Sequence, residues 1–87
     1  MPDVKLSKQV WEQLKAKTCE DLIAALERDG FQYEGTRGAT RAYRHSDGRR
    51  IVIHYHPNKT YGPKLLKALI AAAAWSEREM RSLKLIK

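Results

Sequence analysis

The sequence predicts an α+β domain in which helices cover one face of a three-stranded antiparallel sheet. Its 87 residues, 43% of them apolar, are enough for one compact domain and too few for two. The apolar period runs helix, helix, three strands, helix, short helix along the chain. Between two alternating segments stands Ser46-Asp47-Gly48, where a hairpin turn belongs.

Each element has its own signal. Leu6, Val10 and Leu14 recur four residues apart with Trp11 beside them, which predicts an amphipathic helix over about residues 7–16. Thr18 reads as an N-cap, with Glu20 and Asp21 in a first turn that favours negative charge. Leu22, Ile23 and Leu26 then supply an apolar stripe and Gly30 the stop, so a second helix covers about 19–29. Cys19 lies in its first turn and reads as a packing residue. As the one cysteine it permits no intrachain disulfide and no thiolate-rich zinc site. Phe31 to Glu34 read as a short strand, and Gly35, Thr36, Arg37 and Gly38 as a loop. Residues 40–45 and 50–56 are two further strands, joined by an Asp-Gly turn of type I′. Pro57 to Gly62 form a loop, and Pro63 opens a helix that Leu65, Leu66, Leu69, Ile70 and Ala73 carry to about residue 73. Ser76 with Glu79 is a capping box for a last short helix holding Met80 and Leu83. Trp11 and Trp75 pack the helices.

Seventeen Lys and Arg against ten Asp and Glu give a net charge of +7, unevenly placed. Residues 30–67 hold eight basic side chains (Arg37, Arg41, Arg44, Arg49, Arg50, Lys59, Lys64, Lys67) and two acidic ones, Glu34 and Asp47. Such a section suits phosphates or an acidic partner, and its plainer reading is a solvated surface that keeps a small protein soluble. No apolar run approaches the roughly 20 residues that span a bilayer, and Met1-Pro2-Asp3 does not open a signal peptide. A cytoplasmic domain without membrane contact is the expectation.

Strand alternation sorts the polar residues. Ile51, Ile53 and Tyr55 share the helix-covered face, with Tyr43, Arg41 and His45 from the preceding strand. Thr40, Ala42, Arg44, Val52, His54 and His56 then share the open face. Two imidazoles and a guanidinium there suit phosphate binding and proton transfer. His54 and His56 are also a possible metal pair, yet no carboxylate or thiolate neighbours them to complete a site. His45, before the hairpin turn, reads as support for the strand end.

At this point the chain resembles the HicA toxin family. The likeness runs through Asp21-Leu22-Ile23-Ala24-Ala25-Leu26-Glu27-Arg28-Asp29-Gly30-Phe31, Arg37-Gly38, and Tyr43-Arg44-His45-Ser46-Asp47-Gly48-Arg49-Arg50. It continues in Tyr55-His56, Gly62-Pro63-Lys64-Leu65-Leu66, Trp75-Ser76-Glu77 and Leu83-Lys84-Leu85-Ile86-Lys87. The resemblance implies a fold like the double-stranded-RNA-binding domain, over residues 18–87, with residues 1–17 as an N-terminal helical extension. It implies binding and cleavage of mRNA, and neutralisation by a HicB-like antitoxin, with the chain as a monomer or a hetero-oligomer with that partner. In the family a Gly-Ser-His motif opens the second strand, and its His is held to be catalytic. Here the stretch reads Gly38-Ala39-Thr40, so Thr40 stands in the histidine's place.

RNA carries its own nucleophile, the 2′-OH, so its cleavage needs a base, an acid and cations, and no cofactor or metal. His56 or His54 is the candidate for proton transfer. Arg44, Arg41 and Lys59 are candidates for gripping phosphate, with Arg37 and Lys64 completing the RNA-binding set. Because Thr40 replaces a histidine, a catalytically inactive RNA-binding module of the same fold is the alternative. A third reading is a protein-interaction domain whose charge serves an acidic partner without RNA.

Overall fold

The computed structural model describes residues 6–56 and 59–87, so the expectations for the first residues and for Pro57-Asn58 lie outside the described residues. Helix α1 (Lys8–Lys15) starts at Ser7, whose hydroxyl accepts the Val10 N–H and satisfies one of the first-turn donors. It buries Val10 and Leu14. Helix α2 (Cys19–Asp29) opens on a reciprocal capping box between Thr18 and Asp21. It closes on Gly30 in the left-handed region (φ 104°), where the Phe31 N–H reaches back to the Leu26 carbonyl. Cys19 is buried, as expected of a packing residue.

Strands β1 (Gln32–Arg37), β2 (Thr40–Arg44) and β3 (Arg50–His54) form one antiparallel sheet in that order. The first strand departs from the sequence reading. It runs through the expected Gly35–Gly38 loop to Arg37, and only Gly38-Ala39 make the turn. Gly38 has φ 60° and Ala39 does not have positive φ, the pattern of a two-residue turn with Gly first. The register slips between Tyr33 and Gly35, leaving Glu34 as the extra residue of a bulge. That slip breaks the period-2 pattern and hides the second half of the strand from the sequence.

The β2–β3 turn also differs from type I′. The Gly48 N–H bonds the His45 carbonyl and His45 N–H bonds the Arg49 carbonyl, and Gly48 alone of Ser46, Asp47 and Gly48 has positive φ. This is a three-residue loop ending in a left-handed glycine. β3 ends at His54 rather than residue 56. The Tyr55 N–H still bonds Ala39, but His56 lies in the following loop, ahead of a proline that has no N–H to give a ladder.

Helix α3 (Pro63–Ala73) begins with Pro63 in the first turn, and α4 (Glu77–Ser82) begins with the expected Ser76–Glu79 capping box. Tyr43, Ile51 and Ile53 face one buried cluster with Val10, Leu14, Leu22, Leu26, Leu66, Ile70 and Met80, so helices cover one face of the sheet. The segment after α4 belongs to the same cluster through Leu83, Leu85 and Ile86. Trp75 is buried, and Trp11 packs against the cluster half-exposed.

One polar junction locks the end of this core. Arg49 donates to Asp29 (3.0 Å), to Asp47 (2.8 Å) and to the Ala73 carbonyl at the end of α3, and stands over the Phe31 ring. Trp75 Nε1 donates to the same Asp29 carboxylate at 2.9 Å. His45 bonds the Asp29 carbonyl through Nε2 (2.8 Å), while its Nδ1 accepts the Asp47 N–H (3.1 Å). So His45 supports the strand end, as expected, and Arg49 clamps β3 to the ends of α2 and α3.

Candidate functional site

The uncovered face of the sheet is built from cross-strand rows. Thr40 pairs with His54, Ala42 with Val52, and Arg44 with Arg50. On either side of this register the Tyr55 N–H donates to the Ala39 carbonyl and the His45 N–H to the Arg49 carbonyl. The open-face rows are therefore the non-hydrogen-bonded pairs, whose Cα atoms approach to about 4.5 Å and whose side chains lie closest.

The rows divide the face into three. At one end Arg37, Thr40 and His54 lie side by side, Arg37 being the β1 partner of Thr40. The Thr40 hydroxyl donates to the Arg37 carbonyl at 2.7 Å, tying it across the turn. In the middle, small side chains at Gly35 and Ala42 leave a trough of about 420 Å³, whose lining extends from Arg37 and Thr40 to Arg50. At the other end the bulge aims Glu34 at two guanidinium groups. Arg44 Nε lies 2.5 Å and Arg50 Nε 3.0 Å from its two oxygens. Hydrogen bonds from Arg44 first and Arg50 second hold the Glu34 carboxyl below its ordinary value.

The remaining expected site residues fall around this face. His56, Lys59 and Lys64 are exposed, the first two in the β3–α3 connection and the third in the first turn of α3. Arg41 is set apart. It is on the covered side of β2, with its guanidinium 3.5 Å from the Tyr55 ring centre, so it does not join Arg44. The loop is fastened beneath His54: its carbonyl accepts from the Tyr61 hydroxyl and the Cys19 thiol. Burial, and then the hydrogen bond with Cys19, push the Tyr61 phenol above its ordinary value and keep it a donor. Among the described residues no three His, Cys, Asp or Glu side chains are grouped as a metal site requires.

Two residues of this face were absent from the sequence-based set. Arg50 was legible, since residues 50, 52 and 54 share a face once β3 is recognised. Glu34 was not, because only the bulge turns it toward Arg44 and Arg50.

No described helix is long and apolar enough to cross a membrane. No curated protein matches the sequence. A family profile described as the HicA toxin of bacterial toxin–antitoxin does match, over residues 19–75, from the first residue of α2 to the tryptophan after α3. That match takes in the whole sheet and well over half of the chain, and the protein accordingly belongs to the HicA toxin family of bacterial toxin–antitoxin pairs.

Proposed function

We propose that this toxin binds single-stranded RNA along the open face of its sheet and cleaves it there. The observation that carries the reading is the Arg37–Thr40–His54 end set across a trough from Arg44 and Arg50. Successive phosphates could meet cations at both ends, while a ribose near His54 would bring its 2′-OH within reach of an imidazole. His54 is the first candidate base, and His56 in the adjoining loop the candidate acid for the leaving 5′-oxygen. Arg37, Arg44, Lys59 and Lys64 are the phosphate contacts, and Arg41 is left out. Residues 18–87 form the toxin domain, α1 its extension, and a HicB-like protein its antitoxin in the cytoplasm.

A second reading has its own support. The Thr40 hydroxyl is engaged with the Arg37 carbonyl and lacks the basicity of an imidazole. This favours an RNA-binding module without hydrolytic activity. Cleavage of labelled mRNA in the presence of chelator separates the two. We expect the parent chain to cut, and His54→Ala to lower the rate by about 10²-fold or more. Unchanged cleavage by both His54→Ala and His56→Ala overturns these roles. No cleavage by the parent, with activity gained in Thr40→His, identifies the inactive binder.

A further inference from the structure

Beside the open face, and sharing Arg50, Val52 and His54 of β3 with it, lies a second surface. α3 runs along the outer edge of β3, and between them is a groove of about 240 Å³. One wall is the strand, residues 50–54; the other is the Leu65, Ala68, Leu69 and Ala72 stripe, spaced for one helix face. Ala68 and Ala72 are exposed, and Leu65 and Val52 are the large apolar residues left most open beside Tyr33, at 52% and 54%.

The strand presents backbone groups to this groove. Tyr55 N–H bonds Ala39 and His45 N–H bonds Arg49 in one unbroken register, so the odd residues Ile51 and Ile53 direct their peptide groups at β2. The even residues Arg50, Val52 and His54 direct theirs outward. The His54 carbonyl is occupied by Tyr61 and Cys19. The Val52 N–H and C=O and the His54 N–H have no partner among the described residues. The sheet's other edge is different, because the Glu34 bulge interrupts β1 and blunts it against pairing. β3 is the regular edge, and an apolar helix stripe lies alongside it.

We propose that this groove receives an extended, acidic edge strand of the antitoxin, which adds to the sheet beside β3. The proposal rests on the toxin–antitoxin pairing of the family and not on RNA cleavage. Backbone bonds to Val52 and His54 would supply attachment, and pockets for alternate side chains the specificity. On the helix side the added strand meets Leu65, Ala68 and Ala72 and needs small or apolar residues. On the open side it meets Val52 between Arg50 and His54, which calls for an apolar residue next to Asp or Glu. A second copy of this chain fits poorly. Antiparallel pairing about Val52 would set Arg50 against His54 of the copy, and would join two molecules of charge +7. Five residues of strand bury less than the roughly 1,200 Å² of a stable complex, so the antitoxin must extend past the edge, and the open face adjoins it.

The test uses the full chain and its cognate antitoxin, purified as their complex. Amide hydrogen exchange at Val52 and His54 should slow at least tenfold on complex formation. In Ala68→Tyr, an uncharged filling of the groove on an exposed helix position, antitoxin affinity should fall at least tenfold with RNA retention unchanged. Unaltered exchange at both amides, or full affinity in Ala68→Tyr, overturns the proposal. So does a chain that sediments as a dimer which Ala68→Tyr dissociates, since the occupant is then a second copy. RNA retention by the parent chain is measured separately; its absence counts against the RNA reading and leaves these readouts intact.

Discussion

Glu34 sits between Arg44 and Arg50, where the proposed RNA binding would put a phosphate. Each arginine meets it through Nε, one at either carboxylate oxygen, so the two guanidinium groups are already converged on a single anion. Exposed ion pairs of this kind are weak, and a polyanion offering several phosphates can displace the carboxylate. Removing the charge should therefore help the ligand. We expect Glu34→Gln to bind single-stranded RNA roughly threefold to tenfold more tightly at low salt. The log–log salt slope should steepen by about one to two, at ~0.7 per phosphate for single strands. Fluorescence anisotropy over a salt series reads both. The same pairing sets a pH dependence. A depressed carboxylate stabilises the fold above its ordinary value of 4.5, and that contribution is lost as pH falls through the lowered value. Acid unfolding of Glu34→Gln should lack this component, and identical acid curves for parent and variant would count against the ion pair.

The element boundaries place left-handed residues where they have opposite consequences. Gly30 (φ 104°) ends α2 and Gly48 (φ 101°) closes the β2–β3 loop. A Cβ at Gly48 meets open space, so Gly48→Ala carries only the backbone term of about 1 kcal/mol. At Gly30 the added carbon would also stand 3.2 Å from Nε2 of His45, the atom bonded to Asp29. Gly30→Ala should cost about 2 kcal/mol. Ala74 ends α3 at φ 58° without being glycine, so Ala74→Gly should raise stability by about 0.5–1 kcal/mol. Urea midpoints give the three signs and their order. These elements also show what the sequence could disclose. Thr18, Gly30, Pro63 and Ser76 are local chemical signals, and the helices they bound lie where they predict. The second half of β1 was hidden because its bulge depends on pairing with β2, which no local pattern contains. Alternation alone showed His54 and Thr40 sharing the open face and Arg41 and Tyr55 the covered one, while the capture of Arg49 by Asp29 was not legible.

At the scale of the whole molecule, the basic charge is less available than its count suggests, and the fold depends on segments outside the family match. Of the eight basic residues in 30–67, Arg49 is held in the junction with Asp29, Arg41 lies on Tyr55, and Arg44 and Arg50 share Glu34. The match covers residues 19–75, yet α1 and the C-terminal segment both lie outside it and fasten to each other. Ser7 N–H donates to Glu77 at 3.0 Å, and Lys87 N–H to the Gln13 side chain at 2.7 Å. Val10 and Leu14 share the core with Leu85 and Ile86. Burying two aliphatic side chains contributes roughly 1.5–3 kcal/mol each, offset in part by the cost of ordering the helix. Deleting residues 1–17 should thus remove about 2–4 kcal/mol, a large part of the roughly 5–10 expected for a domain this size. The truncated chain should unfold at a lower urea concentration and exchange its core amides faster. Leu14→Ala in the full chain should lose about 3 kcal/mol by leaving a cavity at the same place. Since α1 packs on the covered side of the sheet, RNA retention per folded molecule should not change. A truncated chain as stable as the parent would show that α1 rests on the domain without supporting it. Lost retention in a folded truncated chain would instead make the helix part of the RNA surface.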